Sequence, residues 1–279
     1  MADSFGDRVA AAVAGTGPLC AGIDPSPALL GAWGLRDDAM GLRSFCATCV
    51  EAFAGAVSVV KPQVAFFERH GSAGLAELER LVAEATAAGL IVIADAKRGD
   101  IDSTAAAYAD AWLGDASPLA ADAVTVHPYL GLGALAPLVH LASANGKGVI
   151  VVVRSSNPEG RDLQRAVTAA GPAVEDMLLA EIAGLNRAPE VLAGTVGAVV
   201  GATMEPSSFA LSQLGGVILA PGLGAQGAGP ADVAARFAGC PPGTVLPSSS
   251  RGLLNQGPDA AALRDGARSL NRELAAALG

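Results

Sequence analysis

Short, predominantly apolar runs alternate along the chain with longer stretches in which apolar residues recur every three or four positions. The short runs fall at 19–23, 57–60, 90–94, 123–126, 149–153, 196–200, 217–220 and 244–246. Runs of three to five residues, apolar but for an occasional Ser or Thr and without regular polar alternation, mark strands covered on both faces, the condition of a parallel sheet. Between them the period lengthens to that of a helix. A leading helix occupies the first 17 residues, and Leu42, Phe45, Cys46, Cys49, Val50, Phe53 and Val57 form a stripe at helical spacing. A third helix runs through Leu75, Leu78, Leu81, Val82 and Ala85 and stops at Gly89. Ser103 or Thr104 is suited to cap the next, through Tyr108 and Trp112. Further helices are expected over 134–144, 174–183, 207–214, 231–238 and 259–278. Only the spacer 159–194 is longer than its counterparts, and it breaks at Gly171-Pro172, as an insertion would.

Eight strand–helix units at a period of roughly 30 residues, the size of a βαβ unit, most simply close into a single (β/α)8 TIM barrel, one domain over 1–279. A doubly wound open sheet has the same alternation. The polar positions favour the barrel. Asp24, Lys61, Asp95, Lys97, Asp100, His127, Ser155, Ser156, Gln226 and Arg251 all sit just after an apolar run, and a barrel gathers such positions at its C-terminal mouth.

The densest chemistry lies in 90–102, LIVIADAKRGDID. Strand alternation sends Asp95 and Lys97 to one face. Gly99 lets the chain turn, so that Asp100 can swing back and leave an ammonium between two carboxylates. An ion pair at a strand end is the plainer reading, since perturbed charges occur in structural networks as well as in reactive sites. After the last two strands come the glycine-rich 222–229, GLGAQGAG, whose backbone N–H groups can converge on an anion, and Arg251, a planar fork for phosphate oxygens. Asp24 and Lys61 suit sugar hydroxyls, although Asp24-Pro25-Ser26-Pro27 also reads as a turn with the aspartate bonding its own backbone. Ser156 offers a hydroxyl to the edge of a polar ring, or else a helix cap. His127 is expected as a pocket wall or behind one, and His70 and His140 as solvated or structural.

Composition narrows the partners. Hydrophobic residues make up 51% of the 279 and aromatics 4%, so the core is built from Ala, Val, Leu and Ile. A net charge of −9 argues against a nucleic-acid or anionic-membrane partner, while a few local cations still allow a small anionic substrate. No stretch reaches the ~20 apolar residues of a membrane span, and the acidic N-terminal region lacks the apolar core of a secretory signal; a cytoplasmic location is the expectation. The Cys46–Cys49 pair lies on the helical stripe with no second Cys/His pair at ligand spacing, so core packing is expected rather than a redox or zinc site.

DAKRGDI at 95–101, SNPEG at 156–160 and PGLGAQG at 221–227 occur in that order, each at a strand end. In these motifs the chain, from Asp24 to Arg251, resembles the orotidine 5′-phosphate decarboxylases, in particular their longer bacterial branch. The resemblance implies decarboxylation of orotidine 5′-phosphate to uridine 5′-phosphate, the last step of de novo UMP biosynthesis, with no metal or organic cofactor. By the same resemblance Lys97 protonates C6 after carbon dioxide leaves, Asp95 sits beside the scissile carboxylate, and Lys61 bridges Asp95 and the ribose. Asp24 and Asp100 bind ribose hydroxyls, Asp100 and Thr104 being lent by the neighbouring subunit of a homodimer. Ser156 contacts the pyrimidine, and Gln226 and Arg251 hold the phosphate. The chain departs from the pattern in 157–194 and in the serine run 248–250. Three rivals stand beside this reading: magnesium-dependent sugar-phosphate enzymes that share D-x-K-x-x-D, a Schiff-base aldolase, and a phosphate-binding barrel without activity. Flanking carboxylates oppose the second, because they hold the lysine protonated.

Overall fold

The computed structural model describes residues 3–224 and 227–279. In chain order the elements are α1 (Phe5–Thr16), β1 (Cys20–Ile23), α2 (Pro27–Ala32), α3 (Ala39–Phe53), β2 (Val59–Pro62), α4 (Ala65–Glu68), α5 (Gly71–Ala87), β3 (Ile91–Arg98), α6 (Asp102–Leu113) and β4 (Ala123–Val126). There follow α7 (Ala136–Ala144), β5 (Gly148–Arg154), α8 (Arg161–Gln164), α9 (Val174–Leu185), β6 (Val196–Val200), β7 (Ile218–Pro221), α10 (Pro230–Arg236), β8 (Val245–Ser249), α11 (Arg251–Leu254) and α12 (Ala260–Leu278).

The eight strands pair in sequence order, and β8 returns to β1 with Cys20 opposite Ser248 and Ala21 opposite Ser249, all parallel. The sheet is therefore a closed (β/α)8 barrel, which excludes the open sheet. Closure divides the apolar residues into two cores. Val59, Ile91, Ile93, Ala123, Ile150, Leu219 and Leu246 belong to a small cluster with Phe5 and Val9 of α1; the larger cluster fills the space between strands and surrounding helices. Ser4 caps α1 by accepting from the Asp7 N–H at 3.1 Å. The ring of Phe5 lies where a side chain on Gly148, the first residue of β5, would stand. The helix thus plugs the N-terminal end of the barrel and leaves the C-terminal end as the open mouth.

Several expected elements are corrected. Residues 207–214 form no α-helix beyond a 3₁₀ turn at Leu211–Gln213, because Phe209 N–H donates instead to Asp176 Oδ1 of α9 at 3.0 Å. The helix expected over 134–144 opens as a 3₁₀ turn, Leu132–Leu135, before α7. Neither Ser103 nor Thr104 caps α6, whose first residue is Asp102 with no side-chain cap before it. β3 runs on to Arg98, four residues beyond the apolar run. The insertion holds a 3₁₀ turn at Pro158–Gly160, α8, a bridge between Val167 and Ala173, and α9. Cys46 and Cys49 are buried in the core face of α3. Among the described residues no helix is long and apolar enough to cross a membrane.

Candidate active site

The strand ends converge on one cleft of about 360 Å³. Asp24 follows β1, Lys61 is the penultimate residue of β2, Asp95 and Lys97 stand on β3, Ser156 follows β5, and Arg251 begins α11 after β8; all line it, with Val152, Val199 and Leu219 as the apolar wall. A second hollow, about 480 Å³ at the opposite end of the barrel, is lined by Ala, Gly, Pro and a few larger apolar residues and carries no charged side chain.

Asp95 is the centre of the charged array. Its Oδ2 accepts from Lys61 Nζ at 2.8 Å and Gln63 Nε2 at 3.1 Å; its Oδ1 accepts from Lys97 Nζ at 2.5 Å and Thr125 Oγ1 at 2.9 Å. A carboxylate has about four acceptor positions, so the set is complete. Lys61 and Asp95 are each only 7% exposed, whereas the Lys97 side chain is 49% exposed, on the cleft side of the pair. Burial alone would push the Asp95 carboxyl up, but Lys61 and Lys97 outweigh it and hold the group well below the usual carboxylate range. For Lys61, burial would push the ammonium down; Asp95 and Asp24 outweigh it and hold the lysine above its usual value. The site is thus charged at neutral pH, with both lysines beside a carboxylate that keeps no proton.

One pH effect follows from Asp95. Its folded pKa lies below the unfolded one, so the linked stability is complete above the unfolded value of about 3.9 and is lost as pH falls from there toward the folded value. Urea unfolding of wild type and Asp95→Asn between pH 6 and 3 reads this as a stability difference between the two proteins that shifts against the wild type below about pH 4. A difference independent of pH would contradict the depressed value.

The Asp95–Lys97 contact does not come from regular alternation. Ala94 is paired with Val124 and Arg98 with Val126, so β3 carries surplus residues at this point. Lys97 takes a left-handed backbone, φ 48°, a conformation that costs a non-glycine residue about 1–3 kcal/mol. Arg98 anchors the irregularity from outside. Its Nη1 donates to Ala96 O at 2.9 Å, its guanidinium lies 5.9 and 5.5 Å from the ring centroids of Tyr108 and Trp112 on α6, and it pairs with Glu68.

Asp100 does not swing back. Among the described residues Lys97 pairs with Asp95 alone, and Asp100 Oδ1 accepts from the Ile101 N–H at 2.8 Å. The left-handed Lys97 and the packing of Gly99 against the His127 carbonyl, where a Cβ would come within 2.6 Å, carry 100–104 away from the cleft. Thr104 is exposed on α6, and His127 is exposed beside Gly99 rather than on the cleft wall. His140 is exposed, and His70 meets Asp37 at 3.4 Å. Asp24 makes no Asx turn. Ser26 caps α2 instead, while Asp24 Oδ2 accepts from Ser250 Oγ at 2.5 Å. Asp24 Oδ1 is buried without a hydrogen-bond partner among the described residues, an acceptor in need of a hydroxyl. Gln226 lies outside the described residues.

Gln63 and Thr125 escaped the reading of the sequence. Each left a signal: Gln63 stands two positions beyond Lys61, on the same face of an extended chain, and Thr125 is the one hydroxyl inside the apolar run 123–126.

Comparison with known proteins agrees with this geometry. Residues 17–265 match the Orotidine 5′-phosphate decarboxylase / HUMPS family. Over 276 residues, 99% of both chains, the sequence is 52% identical to an orotidine 5′-phosphate decarboxylase of Salinispora arenicola, and over 266 residues, 95% of both, it is 52% identical to that of Streptomyces coelicolor. The crystal structure of a Streptomyces avermitilis protein assigned as the same enzyme is 51% identical, with TM-score 0.94, covering 99% of this chain and 96% of its own. The matches span every strand whose end reaches the cleft: the chain belongs to the orotidine 5′-phosphate decarboxylase family.

Proposed function

We propose that the cleft decarboxylates orotidine 5′-phosphate to uridine 5′-phosphate, with Lys97 as the acid and without a metal or organic cofactor. The observation that carries this is the Asp95 carboxylate held between a buried Lys61 and a half-exposed Lys97 at the mouth of the barrel. In the reaction the bond from C6 to the carboxylate breaks, carbon dioxide departs, and the electron pair stays on C6. The Lys97 ammonium, 2.5 Å from the Asp95 carboxylate, stabilises that pair electrostatically and then transfers a proton to C6. Asp95 faces the substrate carboxylate and is relieved of repulsion when it leaves. Lys61 links Asp95 to the ribose, Asp24 accepts from a ribose hydroxyl through its unpartnered Oδ1, Ser156 meets the pyrimidine edge, and Arg251 with Gln226 holds the phosphate. Two lysines already take acceptor positions of Asp95, so a divalent cation would have to displace them. Absorbance of orotidine 5′-phosphate mixed with the protein in EDTA tests the reading: conversion to uridine 5′-phosphate is expected at an undiminished rate. Turnover only of sugar phosphates, and only with magnesium, would place the chain in the other branch of its family.

The same reading includes a homodimer. Asp100 and Thr104 stand outside their own cleft; Ile101 beside Asp100 is exposed, and so are Tyr129 and Leu130, which follow the His127 that packs against Gly99. An isologous contact through this face carries Asp100 and Thr104 to the partner's cleft. Lys97→Ala and Asp100→Ala proteins, each inactive alone, are then expected to recover about one quarter of wild-type activity after mixing and subunit exchange, since half the dimers would hold one intact site of two. No recovery from exchanged subunits would mean that Asp100 serves its own chain.

A further inference from the structure

Where β3 and β4 fall out of register, Asp95, Ala96 and Lys97 lie opposite Thr125 alone. Surplus residues on one strand leave backbone groups without a ladder partner, and the Lys97 amide is such a group. A side chain satisfies it: Lys97 N–H donates to Thr125 Oγ1 at 3.0 Å. An amide nitrogen only donates, so the hydroxyl accepts here, and its single proton is directed to Asp95 Oδ1 at 2.9 Å. Thr125 is fully buried between Val124 and Val126. An unbonded hydroxyl at such a place is costly; this one is satisfied on both sides by the residues of the reaction centre.

We infer that Thr125 is a positioning residue of this enzyme, its hydroxyl locking the left-handed backbone of Lys97 and the Oδ1 of Asp95 into one unit that aims the ammonium at the reacting carbon. The inference rests on the decarboxylase reading above and deepens it. A strained backbone persists only where its surroundings over-determine it. On the outer side Arg98 holds the Ala96 carbonyl; on the inner side the Thr125 hydroxyl is what holds the Lys97 amide. Without it the amide is left without its partner, the backbone relaxes toward an extended φ, and Cβ swings with it. Lys61 and Gln63 do not compensate, because both bind Oδ2. The carboxylate would keep its charge and lose its orientation toward Lys97. Ligand contacts at Asp24, Ser156 and Arg251 lie on other strand ends and stay in place.

Thr125→Val keeps the branched shape and removes the hydroxyl. With orotidine 5′-phosphate its kcat is expected to fall about 10- to 100-fold, the effect of misplacing a reacting group by a fraction of an ångström to an ångström, while KM stays within about threefold. Thr125→Ser restores the hydroxyl and is expected to hold kcat within about threefold of wild type. A purely structural role would lower stability in both variants without this split between kcat and KM. Should Thr125→Val fail to fold, Thr125→Cys, with a weak donor and acceptor in place of the hydroxyl, is expected to show the same kind of kcat loss against the serine variant. A folded hydroxyl-free variant with wild-type kcat, a loss confined to KM, or a serine variant as impaired as valine would overturn the inference while the wild type remains active. A folded wild type with no turnover of orotidine 5′-phosphate would overturn the decarboxylase reading and this inference together, so the two failures are distinct.

Discussion

Lys97→Ala is expected to lower kcat for orotidine 5′-phosphate by at least about 10⁴-fold, because in the proposed mechanism it removes a general acid worth ~10²–10⁴ and a preorganised cation worth ~10²–10³ at the same atom. The ammonium donates to Asp95 Oδ1 at 2.5 Å and stands half-exposed at the cleft. No other lysine can take over: Lys61 is buried and committed to Asp95 Oδ2 at 2.8 Å on the far side of that carboxylate. Folding should be little affected, since a half-exposed pair contributes on the order of 1 kcal/mol or less. The measurement is kcat from the absorbance change, with the thermal midpoint and the affinity for uridine 5′-phosphate run beside it. Loss of turnover with both controls near wild type assigns the acid to Lys97. A variant that keeps more than about one part in a hundred of kcat would move the acid elsewhere. Retained ligand binding without turnover also separates an enzyme from a barrel that only binds phosphate.

Arg251→Ala is expected to lower kcat/KM by about 10²- to 10⁴-fold, since charge-assisted hydrogen bonds contribute about 1.5–3 kcal/mol each and a guanidinium can make two to one phosphate. Arg251 opens α11 immediately after β8 and reaches the cleft. The phosphate takes no part in breaking the bond at C6. In the proposed reaction its contacts contribute by holding the reacting ring against the charged array, which is how binding far from a reacting centre raises its rate. Orotidine without the phosphate supplies the control. It should be a poor substrate for the wild type, and the variant should process it within about threefold of the wild-type rate. Equal losses on both substrates would instead assign Arg251 a role in shaping the end of β8.

Particular residues show how far the sequence could be read. The apolar runs gave strand positions to within a residue or so for most of the barrel, because a strand covered on both faces has to be apolar along nearly its whole length. Asp24, Lys61, Asp95, Lys97, Ser156 and Arg251 were found by the same rule, each standing where such a run stops, and all six line the cleft. The rule also selected His127 and Asp100, which do not line it. A position just beyond a strand fixes the end of the barrel a residue occupies, while the turn that follows decides whether it faces inward. Residues 207–214 have helical spacing and form no α-helix, because the Asp176 carboxylate of α9, more than 30 positions earlier in the chain, claims the Phe209 amide.

Local period therefore determined, from the sequence alone, the eight strands and the polar ends that meet at one mouth, whereas the contact of Asp95 with Lys97 comes from the surplus residues of β3 and the left-handed Lys97. The tertiary structure alone decided the company Asp95 keeps. Lys61, Gln63 and Thr125 come from 34, 32 and 30 positions away, and they meet one carboxylate because of the register of β2, β3 and β4. It also turned Asp100 outward through the left-handed Lys97. Register between parallel strands is not written in the period of any one of them. It is set when β8 closes on β1 and all eight strands take up a common stagger, so the pairing around Asp95 belongs to the whole barrel.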